Sequence, residues 1–491
     1  MKTSLRLLFS VGFLLACVPL GNAAEPASPQ EAVATAITEF GGIVERDNAR
    51  AGRPVIGVIL NFGRKGIRGV NRNLEATELD CLAQLTDLQR LDVADGDFGS
   101  AILARIAGLT KLRVLNLHFA GVTDVGLRNL RKLTALDELD LSYNREITDK
   151  GAANLKALAH LRRLNLSSTQ VGDASAGVIG GLTDLEELSL ENAFMAANLT
   201  DAGLKNFQGL KHLKKLDLTF THVTDAGLKF LEGMHGLKWL GLQRTKITDA
   251  GLDSIGNLKE LEELLLWETP ITDAGLAKLG GLSHLKLLAL GKTKITDAGL
   301  AHLQPLSHLQ NLSLDYSQFG ELGFTNLATI TSLERLDLMG ARITDAGLAH
   351  VGKLKNLREL ILDSKAVTGE GLAGLEGMSK LEKLNLFRMQ LGSLGLSRLP
   401  QLPSLRELRL LGTKVNESDL ACVQKLPNLH SLDLIYTGVT DAGLAHLKAA
   451  SKLETLYLRN PPSGSGREPR LKATKEAIRD LQEALPKLKI Q

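Results

Sequence analysis

The stretch Leu237-Lys238-Trp239-Leu240-Gly241-Leu242-Gln243-Arg244-Thr245-Lys246-Ile247-Thr248-Asp249-Ala250-Gly251-Leu252 carries two hydrophobic periods. Its first half alternates as Leu-x-x-Leu-x-Leu, as a strand with one buried face must. Its second half reads as the entry to a helix. Thr248 and Asp249 are side chains that satisfy the free N–H groups of a first turn. Gly251 is expected to let that helix lie close to the sheet, and the leucines that follow turn its apolar side inward.

The pattern recurs in both directions. First leucines fall at 88, 112, 136, 161, 185, 213, 237, 261, 285, 309, 333, 357, 381, 405, 429 and 453. Thirteen of the fifteen steps are 24 residues; one is 25, near Glu146, and one is 28, around residues 194–198. Thr-Asp-Ala-Gly-Leu begins at Thr200, Thr224, Thr248, Thr272, Thr296, Thr344 and Thr440. One such unit cannot close a core alone, so stacked neighbours complete it. Composition agrees: of 491 residues 44% are hydrophobic but only 4% aromatic, with 48 Gly and 13 Pro, too apolar for disorder. No apolar run reaches membrane-spanning length.

The sequence resembles the leucine-rich-repeat family over roughly residues 55–458. Its Ile-Thr-Asp-x-Gly-Leu segment is similar to the cysteine-containing subclass of F-box substrate receptors and to secreted bacterial relatives. The resemblance implies an α/β fold: a right-handed solenoid curved as a horseshoe, with a parallel sheet on the concave side and helices on the convex side. Thr stands where the subclass carries Cys (Thr169, Thr221, Thr245, Thr269, Thr293, Thr413, Thr437), no F-box-like segment precedes the repeats, and a ubiquitin-ligase receptor is the less favoured reading. The Thr column is expected to form a hydroxyl ladder to neighbouring backbone.

Residues 1–24 read as a signal peptide: a basic start at Lys2 and Arg6, an apolar segment over 7–18, Pro19, then small residues with cleavage near Ala23 or Ala24. The alternative is a lipoprotein, with Leu14-Leu15-Ala16-Cys17 as its box and a lipid on Cys17 as the one link to a membrane. Residues 25–84 read as an N-terminal cap with a first degenerate repeat, 85–459 as the repeats, and 460–491 as a mobile loop and a capping helix and strand. Losing Lys2 and Arg6 takes two charges from a formal net of +3, so the mature chain has no electrostatic footprint for nucleic acid.

Catalytic motifs are not found: no His-Glu-x-x-His, Cys-x-x-Cys, nucleophile elbow or phosphate loop. No enzyme, cofactor or metal site is expected. His284 and His308 read as solvated surface, and Cys422 as a structural thiol. Cys81 and Cys422 share a repeat column and are too far apart to bond.

Function is then sought on the sheet positions facing away from the core, read as the third, fifth, seventh and eighth of each repeat. The third position alternates in sign (Arg163, Glu187, Lys215; later Arg335, Glu359, Lys383, Glu407), as a charge ladder between adjacent strands. Arg244, Glu268 and Lys292 make another in the eighth. The charged members of the fifth and seventh are mainly acidic (Asp92, Asp140, Glu191, Asp217, Asp315, Asp337, Asp363, Asp433), with only Arg409 and Arg459 basic. All six Trp and Tyr residues lie in these four columns. Trp239, Leu265, Trp267 and Leu287 are expected to form one patch; Met339, Phe387 and Tyr457 belong to a second stripe, and Tyr316 and Tyr436 are further candidates in the same columns. Aromatics shield sheets, but exposed Trp and Tyr also carry interface energy. The reading is an exported protein that binds a protein or peptide there, with glycan or cell-wall recognition as the alternative.

Overall fold

The computed structural model describes residues 28–39, 41–60, 76–96, 99–192, 199–458 and 471–491. The signal segment with Cys17, the insertion at 194–198 and the loop at 461–469 lie outside them. The chain forms two compact units, Met1–Gly241 and Leu242–Gln491. Each is a stack of one repeat, a short strand on one side and a short helical segment on the other.

Strand pairing follows the sequence period. In the first unit Leu139 stands beside Leu164 and Leu164 beside Leu188; in the second Leu288 stands beside Leu312 and Leu336 beside Leu360. These pairs are parallel, whereas the opening hairpin, Ile43–Arg46 with Val55–Ile59, is antiparallel. Positions one, four and six supply the core: Leu237, Leu240 and Leu242 are wholly shielded. Each such burial contributes about 1.5–3 kcal/mol against the cost of ordering the chain. Phe207 and Phe324 fill the largest gaps.

The strands are shorter than the alternation implies. Most span only positions three to five, as in Glu187–Ser189 and Glu263–Leu265. The eighth position is not extended, which corrects the assignment of that column to the strand. Among the described residues, in eleven repeats a non-glycine residue there is left-handed, with φ between 48° and 62°, among them Phe119, Tyr143, Arg244, Lys292 and Tyr316. Such a conformation costs roughly 1 kcal/mol or more for a side chain with a Cβ. It is held by the next repeat: Arg244 N–H donates to the Trp267 carbonyl at 2.9 Å and Lys292 N–H to that of Asp315 at 2.9 Å.

The Thr-Asp-Ala-Gly-Leu segment also works differently from the expectation. Thr caps its own helix: Thr224 Oγ1 accepts from Ala226 N–H at 3.4 Å. Asp serves the following repeat instead. Asp201 accepts the Thr224 N–H at 2.8 Å and the Thr224 hydroxyl at 2.6 Å. Asp173 with Thr200, Asp249 with Thr272 and Asp273 with Thr296 repeat this pair. Gly227 explains why the motif needs glycine. A Cβ there would land on the Asp201 carboxylate, so the glycine clears space for the staple and not for the sheet.

The Thr column is likewise more local than a ladder. Thr221, Thr245 and Thr269 each donate to the carbonyl three residues back, at 2.6 Å. Thr413, in the same column, instead crosses to the preceding repeat and donates to the Leu386 carbonyl at 2.6 Å. A helix flanks the repeats on each side. Helix Pro29–Glu39 buries Val33, Ala34 and Ile37, and helix Lys475–Ala484 buries Leu481 ahead of strand Lys489–Ile490. Thr474 binds Asp441 through N–H at 2.6 Å and hydroxyl at 3.0 Å, the same joint that links two repeats.

Candidate binding surface

In the first unit the solvent face of the sheet is a charge ladder. Arg163 donates to Glu138 through Nε at 3.0 Å and Nη2 at 2.6 Å, which holds its guanidinium pKa above the usual value. Lys215 Nζ stands 4.8 Å from the centre of the Trp239 ring. That ring lies down over Gly241, whose missing Cβ would otherwise sit 2.7 Å from Trp239 Cη2. Between Glu138 and Lys215 the face holds an open cleft of about 240 Å³, lined also by Asp140, Asn165 and Glu187. A second aromatic group stands at the edge: Tyr143 packs against the His118 ring at 5.0 Å, and Phe119 is half exposed. The sequence reading did not name Phe119, although its eighth-position register was an available signal.

The second unit holds the other candidate residues. Leu265 and Leu287 are half-buried and offset: Leu265 faces Ala289, and Leu287 faces Glu263 and Asn311. Trp267 is bound on several sides. Its Nε1 donates to Asp315 Oδ2 at 2.7 Å, across two repeats. Lys292 Nζ lies 4.2 Å and the Arg244 guanidinium carbon 5.2 Å from its ring centres, geometry for cation–π attraction. Gly291 makes this possible, since a Cβ there would meet Trp267 Cδ1 at 2.6 Å. The charge ladder expected in the eighth column is present: Arg244 to Glu268 at 2.7 Å and Glu268 to Lys292 at 3.4 Å, which keep the Glu268 carboxyl below its ordinary range.

Tyr316 is less committed. It is 43% exposed, lies over Gly340, and its hydroxyl is 3.7 Å from Met339 Sδ. Lys292 is 5.5 Å from its ring centre. Trp267, Tyr316 and Met339 thus form one connected group. Phe387, Tyr436 and Tyr457 are half-buried farther along the same columns.

The acidic columns differ in how well they are paired. Asp363 is held by Arg388, and Glu359 by Arg335 at 2.6 Å. Asp337 has its own Met339 N–H at 3.0 Å, and Arg335 only at 4.0 Å. Burial, with Asp315 and Glu359 nearby, raises the Asp337 pKa; burial also raises that of Asp433. Asn385, in the same column, is 5% exposed and its Oδ1 accepts no hydrogen bond.

Among the described residues no group of three His, Cys, Asp or Glu is placed to hold a metal ion. His284 and His308 turn instead toward backbone carbonyls of the preceding repeat, Lys259 at 3.1 Å and Ser283 at 2.9 Å. Neither Cys81 nor Cys422 is in a disulfide, and burial pushes the Cys422 thiol up to about 12, where it is no nucleophile at neutral pH. Among the described residues no helix is long and apolar enough to cross a membrane.

A family profile for leucine-rich repeat regions matches residues 189–462, and one for the leucine rich repeat matches 110–171 and 134–193. No curated protein matches the chain. Similar solved structures include a leucine-rich-repeat protein of Leptospira interrogans, 22% identical, covering 88% of this chain and 94% of its own, with a TM-score of 0.49. An internalin of Listeria monocytogenes is 23% identical over 82% and 93% of the two chains, with a TM-score of 0.43. A chain of the TLR13–ssRNA13 complex is 18% identical over 78% and 68%, with a TM-score of 0.46.

Proposed function

The chain belongs to the leucine-rich-repeat family, and from that premise we propose that it is a non-catalytic binding protein that takes a protein or peptide on the solvent face of its sheet. The observation that carries this reading is the group around Tyr316. An aromatic side chain 43% exposed on the left-handed turn after strand Asn311–Ser313, backed by Met339 and Trp267, has the make-up of an interface anchor. Trp267 spends its N–H and its ring faces on neighbouring repeats, so it is the platform and Tyr316 the contact. Phe387, Tyr436 and Tyr457 extend the track, and in the first unit Trp239 supplies its own anchor. Residues 1–24 are read as a signal that sends the protein to the cell envelope or beyond, with Cys17 lipidation as the variant form. The secreted bacterial form of the family, and not the F-box receptor, fits that signal.

The test is capture of surface and secreted proteins by the immobilised mature chain, repeated with Tyr316→Ala and Trp239→Ala. A partner retained by wild type and lost from Tyr316→Ala, with the variant's melting unchanged, supports the assignment. Equal recovery by both variants refutes it. Intact mass of the exported chain distinguishes cleavage near Ala23 from acylation at Cys17. The cleft between Glu138 and Lys215, rich in carboxylate and amide groups and close to Trp239, favours a second reading as a sugar site. Retention on wall polymers that Trp239→Ala abolishes would select it.

A further inference from the structure

The sheet face of the second unit carries one carboxylate, Asp337, with no close cation. Strand Arg335–Met339 lies beside Asn311–Ser313 on one side and Glu359–Asp363 on the other. These strands and the residues that follow them present four carboxylates, Asp315, Asp337, Glu359 and Asp363, against the single guanidinium of Arg335. The cations at the flanks are engaged: Arg388 holds Asp363, and Lys292 stacks on Trp267. Lys383 stands in register beside Glu359. Asp337 therefore has no cation closer than 4.0 Å.

Asn385 is an independent sign. It lies in the Asp337 column, two strands on, with Ile361 between them. Its Oδ1 is buried and accepts nothing. An orphaned buried acceptor costs about 1–3 kcal/mol, and a bound donor would recover part of that.

Resting on the peptide-binding reading above, the geometry points to a basic polypeptide segment as the occupant: a Lys or Arg side chain on Asp337, a donor of the same segment on Asn385 Oδ1, and Tyr316 with Met339 as the apolar wall. The chemistry is that of an aliphatic stem laid on Tyr316 and Met339 with its charged head on a half-buried carboxylate. Charge complementarity selects this occupant over an acidic or neutral segment. Burial first, and then the Asp315 and Glu359 charges, raise the Asp337 pKa, so a cation brought to it would be favoured.

The experiment uses the full chain and a labelled Gly-Arg-Gly-Lys-Gly-Arg peptide, with Gln-substituted and Glu-substituted versions, in fluorescence polarisation. Asp337→Asn keeps the oxygen that accepts the Met339 N–H, so it removes charge with little disturbance. Wild type is expected to bind the basic peptide, and Asp337→Asn to weaken it about ten-fold, the scale of one charge-assisted hydrogen bond. Glu476→Gln, on the exposed C-terminal helix, is expected to change nothing. No binding of the basic peptide overturns the proposal. So does equal affinity of wild type and Asp337→Asn, or an equal loss in Glu476→Gln, which would mark diffuse attraction. Should the Gln peptide bind wild type and lose affinity in Tyr316→Ala but not in Asp337→Asn, the sheet-face reading stands and the cationic one falls.

Discussion

The staple between repeats makes a coupled prediction. Asp201 accepts two hydrogen bonds from Thr224, at 2.8 and 2.6 Å. Asp201→Ala removes both and leaves the Thr224 N–H without its partner. A charge-assisted bond of this kind contributes about 1.5–3 kcal/mol, and partial exposure lowers the yield of the pair, so a loss of about 2–3 kcal/mol is expected. Gly227→Ala should also destabilise, by about 1–2 kcal/mol, because its Cβ must displace the Asp201 carboxylate; the gain in helix propensity of just under 1 kcal/mol is already deducted. The informative variant is the double one. Once Asp201 is alanine, the atoms that Cβ strikes are gone, and Val223 Cγ1 at 3.1 Å is the closest contact left. The double variant should then be more stable than the sum of the two losses predicts, by about 1–2 kcal/mol. Urea unfolding followed by far-UV circular dichroism, compared across the four proteins, measures this. Additivity within about 0.5 kcal/mol would refute the claim that glycine is there to admit the carboxylate.

Three further outcomes follow from residues already placed. Ser168 is left-handed at φ 56° and wholly buried, and its hydroxyl has no partner; Ser168→Gly should raise stability by about 1–2 kcal/mol, read in the same urea titration. Asp337 has a folded pKa above its ordinary 3.8, so the folded state binds its proton more tightly than the unfolded state and pays for ionisation as pH rises through that window. Asp337→Asn should therefore stabilise at neutral pH and converge on wild type near pH 3.8 and below; melting curves over that range check it, and a variant less stable at neutral pH would contradict the sign. The Cys422 thiol, held near 12 by burial, should resist iodoacetamide in the native protein and react once urea opens the second unit, as peptide mass spectrometry would record.

The architecture was legible because leucine spacing is a direct image of the core. Leu240, Leu264 and Leu288 mark strand positions whose burial is set by the strand period, so no knowledge of neighbours was needed. The features that escaped belong to relations between repeats. Thr-Asp reads as a cap for the helix it opens, since both side chains cap helices; that Asp201 turns to Thr224 depends on the stacking distance. The left-handed eighth position carries glycine at Gly340 and Gly412 but Tyr143, Arg244 and Lys292 elsewhere, so the usual sign of that conformation is diluted. The pose of Trp267 rests on Gly291 and on Asp315, which is 48 residues away. Its placement on the sheet face was readable, and the degree to which its own repeat neighbours satisfy it was not.

The junction at Asp441 and Thr474 bears on how such chains change length. The terminal helix docks through the same two-point fitting that joins one repeat to the next. A terminator that shares its coupling with the interior can be attached after any repeat. Whole 24-residue units can then be gained or lost by unequal recombination without redesign of that joint, and the span of the sheet face becomes an adjustable trait.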